Sequence, residues 1–485
     1  MTQKELEKFL WGAATKLRGL IDGGDYKQYI FPLLFFKRIC DVYDEEFEKA
    51  LSESDGDLEY ASFDEHHHFK IPKGAHWKDV REVTNNVGIA LKDAMRNIEK
   101  ANPKALYGIF GDASWTNKNR LSDETLTNLI EHYSKHILNL ENIPDDQLGN
   151  GYEYLIKKFA DDSGHTAAEF YTNRTVVKLM TMIMDPKTGE SVYDPTCGSG
   201  GLLLNCALHL KEQGKEYRSL KLYGQEINLI TSAIARMNMF MHGIEEFDIY
   251  RGDTLANPGF IAYDELKKFN VILANPPYSI KRWDQKSFVN DPYGRNIWGT
   301  PPEGCADYAF QQHIQKSLDD DNGRYAILWP HGILFREKEA EMRKKMVKED
   351  QIEAVIGLGA NLFYNSPMEA IILVGNANKP KERQGKVLFI NGKDDVIENK
   401  GLAYLTDKHI DKFYNAFKDF NDIPGYAKVA STEEILSFDG NMNINFYVKR
   451  EKSENELSFG QSYKNWNDTG DSLKESMNNL FEELK

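Results

Sequence analysis

Nowhere in these 485 residues is there an apolar run of the roughly 20 residues that a membrane-spanning helix takes. The start, Met1-Thr2-Gln3-Lys4-Glu5-Leu6, has no basic region leading into an apolar stretch, so no secretory signal is visible. Cysteine is scarce as well. Cys40, Cys197, Cys206 and Cys305 form no Cys-x-x-Cys pair, which argues against a disulfide framework or a zinc ribbon and favours a reducing, cytoplasmic setting. No Gly-x-x-x-x-Gly-Lys-Ser/Thr loop is present, and with it goes the usual signature of a phosphate-binding motor. Positive charge is also short: 60 Lys and Arg against 75 Asp and Glu leave a formal charge of -15. Affinity for a polyanion comes largely from Lys and Arg replacing its counterions, so either the substrate is not nucleic acid or another chain supplies the grip.

What the sequence does have is enough for a folded protein of about two to three domains, with 41% apolar and 12% aromatic residues. Leu6, Phe9, Leu10, Ala13, Leu17 and Leu20 keep the three-and-four spacing of an amphipathic helix. A second helix follows, with Asp25 as candidate cap and Pro32 requiring a late start or a kink. Helical patterns from about Val80 to Ile98 and Leu121 to Leu140 make residues 1–150 all-helical. His66, His67 and His68 lie in a polar stretch. Neighbours in sequence point in different directions, and no Cys or carboxylate pattern completes a metal site, so a loop is expected there and no metal.

After Tyr152 the texture changes. Short apolar strands (Ser191 to Tyr193, Leu220 to Gly224, Val271 to Ala274, Tyr325 to Trp329, Ala354 to Ile356, Ala370 to Val374) alternate with helices, the mark of a parallel sheet covered by helices. Residues 451–470 are polar and linker-like. A last helix presents Leu473, Met477, Leu480, Phe481 and Leu484 on one face.

Two loops carry chemistry. Asp194-Pro195-Thr196-Cys197-Gly198-Ser199-Gly200-Gly201 follows the first strand and opens an apolar helix, where a Gly-rich turn lets a ligand approach the backbone. A dinucleotide fingerprint fails, because Leu203 stands where its third glycine belongs. Asp194 can hold an amino-acid ammonium. Glu226, ending the second strand, can accept from a ribose diol. Asp253 could accept from an adenine amino group, although Asp-Thr also caps helices well.

The most specific signal is Asn275-Pro276-Pro277-Tyr278 at the end of the strand Val271 to Ala274. Two prolines stiffen the turn and leave the Asn275 side-chain oxygen and the Pro276 carbonyl as fixed acceptors, which suit an NH2 group. Such an exocyclic amine is a poor nucleophile because its lone pair is delocalised. Two acceptors would favour a pyramidal nitrogen, and Tyr278 offers an aromatic face for a base.

These motifs, in this order, resemble amino-methylating DNA methyltransferases, and the whole chain resembles the modification subunit of type I restriction-modification systems. Tyr26 to Arg38, Gly151-Tyr152-Glu153-Tyr154-Leu155, Glu169-Phe170-Tyr171-Thr172, Asp307-Tyr308-Ala309-Phe310 and Leu334-Phe335-Arg336 carry the likeness. It implies an α/β fold: a Rossmann-like class I methyltransferase sheet over residues 151–450, an all-helical N-terminal domain over 1–150, and a linker and C-terminal helix for subunit contact over 451–485. It implies S-adenosyl-L-methionine as cofactor and N6 of a flipped adenine in double-stranded DNA as target. A DNA-specificity subunit and a restriction (motor-nuclease) subunit would be partners, with two copies of this chain per complex. Glu169, Phe170, Tyr171, Thr172, Asn173 and Arg174 would close over the cofactor's methionine end. Asn173 stands where Pro is common, which would leave that lid less constrained.

Protein-glutamine and RNA-guanine methyltransferases resemble this chain at Asn-Pro-Pro-Tyr, but the Phe-Tyr-Thr element and the long helical N-terminus count against them. Cytosine C5 methylation needs a cysteine nucleophile, commonly after a proline, and no Pro-Cys pair occurs. A non-enzymatic assembly subunit is hard to reconcile with an intact Asn275 to Tyr278.

Overall fold

The computed structural model describes residues 1–162, 171–363, 368–399, 402–449 and 459–483. The first third is built on helices α1 (Gln3–Thr15), α2 (Lys27–Glu53), α3 (Val87–Ala101), α4 (Asp123–Tyr133) and α5 (Asp145–Asp162). A capping box starts α1: Thr2 accepts from the Glu5 amide and Glu5 from the Thr2 amide. Asp25 does not cap α2, because its carboxylate pairs with Arg120 and Tyr26 takes the cap position. Pro32 neither delays α2 nor ends it. It lies within a run from Tyr29 to Asp41 in which every residue is buried, and that packing outweighs the roughly 3 kcal/mol an interior proline costs. The pattern from Val80 to Ile98 resolves into a short helix, Trp77–Arg81, and α3, separated by Asn86 at φ 56°.

Of the three histidines, His67 and His68 both reach Glu46, His67 at 3.6 Å, and their rings make different contacts. His66 lies against Tyr60 and His67 stacks on Tyr43, with ring centroids 4.4 and 4.0 Å apart. His68 pairs with Glu46 and reaches Glu245 at 3.3 Å, tying this loop to the turn after the helix Leu229–Met241.

The texture change near residue 150 falls inside α5. Tyr152, Leu155, Ile156 and Phe159 share one core with Ile234 and Met237, and the Tyr152 hydroxyl donates to the Ile234 carbonyl at 3.2 Å. The helical region is therefore packed onto the sheet domain by a shared apolar interior.

That sheet has nine strands: β1 (Ser191–Asp194), β2 (Lys221–Glu226), β3 (Phe247–Arg251), β4 (Val271–Ala274), β5 (Arg324–Pro330), β6 (Ile352–Leu358), β7 (Ala370–Asn376), β8 (Lys386–Gly392) and β9 (Ala427–Ser431). Their order is β9-β8-β6-β7-β5-β4-β1-β2-β3. It is mixed, not wholly parallel. β7 runs antiparallel between β5 and β6, and β9 antiparallel on β8. The connection from β6 to β7, residues 359–369, is shorter than the dozen or more residues a parallel crossover takes. Helices α6 (Arg174–Met184), α7 (Gly201–Glu212), α8 (Leu229–Met241), α9 (Asp307–Lys316), α10 (Ala340–Lys348) and α11 (Asp407–Asp419) follow in chain order. One face of the sheet is covered by α6, α7 and α11, the other by α9 and α10. Helix α12 (Phe459–Glu483) ends the described chain, and none of the described residues forms a helix long and apolar enough to cross a membrane.

The chain runs outward from β1 through β2 to β3 and then returns to place β4 beside β1, with Val192 level with Val271. A crevice opens at the carboxyl ends of the strands where such an order reverses, and both motif loops leave the sheet there.

Candidate active site

Asp194 is the last residue of β1, and its loop turns through Gly198 and Gly200 at φ 54° and 79° before α7 begins. The loop is fixed to β2: the Cys197 amide donates to the Gln225 carbonyl at 2.9 Å, and the Cys197 thiol would lie 2.9 Å from any Cβ placed on Gly224. The Pro195 carbonyl accepts from the Thr254 hydroxyl at 2.5 Å. At Gly201 a Cβ would stand 1.9 Å from Arg174 Nη1, so glycine there lets the guanidinium lie across the start of α7.

A partly open pocket is lined by Tyr171, Thr172, Arg174, Asp194, Thr196, Cys197, Gly198, Ser199, Gly201, Leu202 and Asn275. It joins the two loops that the sequence singled out separately. Asp194 is buried, and among the described residues no Lys, Arg or His pairs with it. Burial, with nearby Glu226 adding to it, pushes its carboxyl up to about 8 against the Thr196 amide that it accepts. A buried carboxyl lacking a cation is suited to an ammonium from a ligand.

Glu226 stands beside this cavity and is not part of its lining. Its Oε2 accepts from the Gly198 amide at 3.1 Å and its Oε1 from the Asn228 amide at 2.8 Å. Asp253 closes a turn, with Oδ1 accepting from the Leu255 and Ala256 amides at 2.9 and 3.2 Å, and no helix follows it for the side chain to cap. The Asn173 side chain turns away from the cavity: it caps α6 through Thr175 and donates to the Leu362 and Ala403 carbonyls at 3.2 and 2.9 Å. Those bonds tie the start of α6 to the residues around Leu362 and Ala403. Glu169 and Phe170 lie outside the described residues.

Asn275 follows β4 directly. Its Nδ2 donates to Thr172 Oγ1 and its Oδ1 accepts from the Tyr278 hydroxyl, both at 3.1 Å, which fixes the amide's orientation. Pro276 is buried, and Pro277 and Tyr278 are half-buried. The Tyr278 ring packs toward Trp329, with centroids 6.5 Å apart, and burial raises its phenol above the ordinary range. In this arrangement Tyr278 holds Asn275 as much as it offers a face for stacking. A wider cleft of about 1320 Å³ between α2 and residues 76–81 and 134–141 contains none of the motif residues.

Comparison with known proteins bears on the whole chain. The N-6 DNA methylase family model matches residues 144–456, and the model of the HsdM N-terminal domain matches residues 6–133. The chain belongs to the N-6 DNA methylases of type I restriction-modification systems. This methylase is 33% identical to the MjaVIII methylase subunit of Methanocaldococcus jannaschii, over 96% of its own length and 83% of the relative's. It is 30% identical to the MpnII methylase subunit of Mycoplasma pneumoniae, over 93% and 90% of the two chains. The crystal structure of a type I restriction-modification methyltransferase subunit from Streptococcus thermophilus superposes with a TM-score of 0.80 at 31% identity, covering 93% of this methylase and all of that chain.

Two residues of the methylase's site were missed as functional candidates. Glu153 of α5 pairs with Arg174, whose Nη2 donates at 3.1 Å, and accepts from Asn238 Nδ2 at 2.7 Å. Asn238 also donates to the Ser199 carbonyl at 3.0 Å. A polar chain thus runs from the helical domain through α8 into the Gly-rich loop. Arg174 further stacks on Tyr171 at 4.5 Å and donates to the Thr172 carbonyl at 3.2 Å. The sequence signal for Glu153 was only its place in the segment Gly151 to Leu155, because its partners lie 21 and 85 residues away.

Proposed function

We propose that this methylase transfers a methyl group from S-adenosyl-L-methionine to N6 of an adenine flipped out of duplex DNA. It would do so in the cytoplasm, in a complex with a specificity subunit that chooses the site and a motor-nuclease subunit that cuts, with two copies of the methylase per complex. One observation carries the reading: Asn275 lines the same cavity as Asp194 and the Gly-rich loop, so an amine acceptor and an ammonium acceptor face one space.

When bound, the cofactor supplies an electrophilic sulfonium methyl. Asp194 suits its ammonium, and Glu226, already on the Gly198 amide, suits a ribose hydroxyl. Thr172 fixes the Asn275 amide nitrogen, and the amide oxygen, which accepts from the Tyr278 hydroxyl with one lone pair, keeps a second for the target amine. Asn275 Oδ1 and the Pro276 carbonyl would take the two N–H groups, favouring a nitrogen lone pair aimed at the methyl. Fixed acceptors aimed at a reacting group cost no reorganisation during the reaction. Flipping a base costs a few kcal/mol, which contacts in the pocket must offset.

The test is transfer of labelled methyl from S-adenosylmethionine to duplex DNA by the methylase assembled with a specificity subunit, followed by digestion to nucleosides. Label in N6-methyladenine is expected. Asn275→Ala should lower the rate by at least about 100-fold while cofactor affinity by calorimetry stays within about threefold. Label in cytosine or in protein would sink the reading, and so would parallel loss of binding and rate in Asn275→Ala.

A further inference from the structure

Two segments that the cofactor and target assignments leave idle, Asp307-Tyr308-Ala309-Phe310 and Leu334-Phe335-Arg336, meet behind the Asn275 to Tyr278 turn. Asp307 opens α9 and is fully buried. Its Oδ1 accepts from the Ser279 amide at 2.7 Å, and its Oδ2 accepts from Arg336 Nη2 at 2.5 Å. Ser279 is the residue directly after Tyr278 and sits at φ 51°, a left-handed conformation that is uncommon for serine. Such a backbone persists only where its surroundings over-determine it, and the Asp307 carboxylate is what the Ser279 amide meets.

Arg336 is held in turn. Its Nη1 lies 3.1 Å from Cys305 Sγ and 3.4 Å from Ser279 Oγ, and its Nε lies 2.9 Å from Glu339 Oε2. Its carbonyl accepts from Arg343 Nη1 at 3.1 Å. The ligand atoms of Cys305, Asp307 and Glu339 lie within 4.8 Å of one another, a spacing that a metal could use. The Arg336 guanidinium already contacts all three, so the cation of this cluster is the arginine.

We propose that Asp307 and Arg336 are positioning residues for methyl transfer: together they clamp the Ser279 turn, which fixes Tyr278 and, through its hydroxyl, the oxygen of Asn275. The inference rests on the reading of Asn275 as the acceptor of the target amine. The coupling is short. Asp307 holds the backbone one residue beyond Tyr278, and the Tyr278 hydroxyl is 3.1 Å from Asn275 Oδ1. Misplacing a reacting group by about 1 Å costs on the order of 100-fold in rate.

The experiment compares single-turnover methyl transfer and calorimetric S-adenosylmethionine affinity in the assembled complex for wild type, Asn275→Ala, Asp307→Ala, Asp307→Asn and Arg336→Gln. Asp307→Ala should lose about 100-fold in rate with cofactor affinity within about threefold. Asp307→Asn keeps an oxygen for the Ser279 amide and should lose no more than about tenfold. Arg336 is partly exposed, so Arg336→Gln decides the matter if Asp307→Ala fails to fold; about a tenfold rate loss at unchanged affinity is expected. Wild-type rates in Asp307→Ala or Arg336→Gln beside an inactive Asn275→Ala would overturn the proposal. So would cofactor affinity falling in step with rate. An active Asn275→Ala would instead overturn the reading of Asn275, and this inference with it.

Discussion

Asp194 concentrates the electrostatics of the site in one carboxyl. Burial pushes it from the ordinary 3.8 up to about 8, so the carboxyl holds its proton through most of the neutral range. The sign follows from linkage: a raised carboxyl favours the folded state at low pH, and that contribution is lost as pH rises from 3.8 through about 8. A ligand ammonium needs the ionised form and must displace the proton. Affinity for S-adenosylmethionine should therefore tighten with rising pH below 8, by about tenfold per unit, until the ligand's own amine titrates near about 8. Calorimetry at pH 6, 7 and 8 reads this slope directly. Asp194→Asn should bind weakly and show no slope, and a flat profile in the wild type would remove Asp194 from the ammonium. Asp194 and Asn275 were both legible as residues because each ends a recognisable strand. Asp253 was legible only as two alternatives, since a strand-end acid followed by Thr serves a cap as well as a ligand, and its Oδ1 is engaged by the amides of a turn.

Elements were legible where a single stretch of chain determines them. Seven of the nine sheet strands carry an apolar run, six of them read from the sequence and the seventh, β8 with Val387-Leu388-Phe389-Ile390, overlooked although it is as apolar as the rest; the Gly-rich turn and the Asn-Pro-Pro-Tyr turn fall at strand ends as expected. β3 is short and mostly exposed to half-buried, β9 is an edge strand, and neither has a continuous apolar run; their pairing depends on neighbours distant in sequence. The same distance hid Glu153, whose role exists only once α5 packs on α8. Burial raises its carboxyl, but the Arg174 charge and hydrogen bond outweigh this and hold it below the ordinary range. Breaking a buried ion pair by removing one partner costs about 3–5 kcal/mol, and less here because each side chain remains about a fifth exposed. We expect Glu153→Gln to lower stability in urea unfolding by about 2 kcal/mol and to weaken the cofactor by at least about tenfold, since Arg174 spans Tyr171, Thr172 and the start of α7. Stability lost with cofactor affinity unchanged would make the pair a domain staple and nothing more.

For the whole molecule, the charge of -15 and the C-terminal helix pose one problem. A chain that releases few counterions grips duplex DNA poorly, yet a flipped adenine needs a firmly held duplex. In the proposed function another subunit supplies the grip, and α12 offers a place to hold it. Tyr463, Trp466, Leu473, Met477, Leu480 and Phe481 are between 48% and 71% exposed, so this chain's own core does not cover them. Leu484 lies outside the described residues. Tyr463, Trp466, Gly470, Leu473, Met477 and Leu480 step by three and four alternately, the spacing of a coiled-coil seam along a helix of about 37 Å. The last turns showed an apolar face in the sequence, but residues 459–470, expected as linker, are helical, and their Tyr463, Trp466 and Gly470 supply the first half of the seam. Such a seam needs a partner helix, and the partner expected is the specificity subunit. Deleting residues 459–485 should therefore leave the melting temperature within about 2 °C of the full chain, because surface changes away from packed features shift stability by only about 0.5 kcal/mol. Cofactor affinity should stay unchanged, while co-purification with the specificity subunit and methylation of DNA are both lost. A truncated chain that still co-purifies and methylates the same sites would place the subunit contact elsewhere. One that melts many degrees lower would mean the helix folds back onto its own chain.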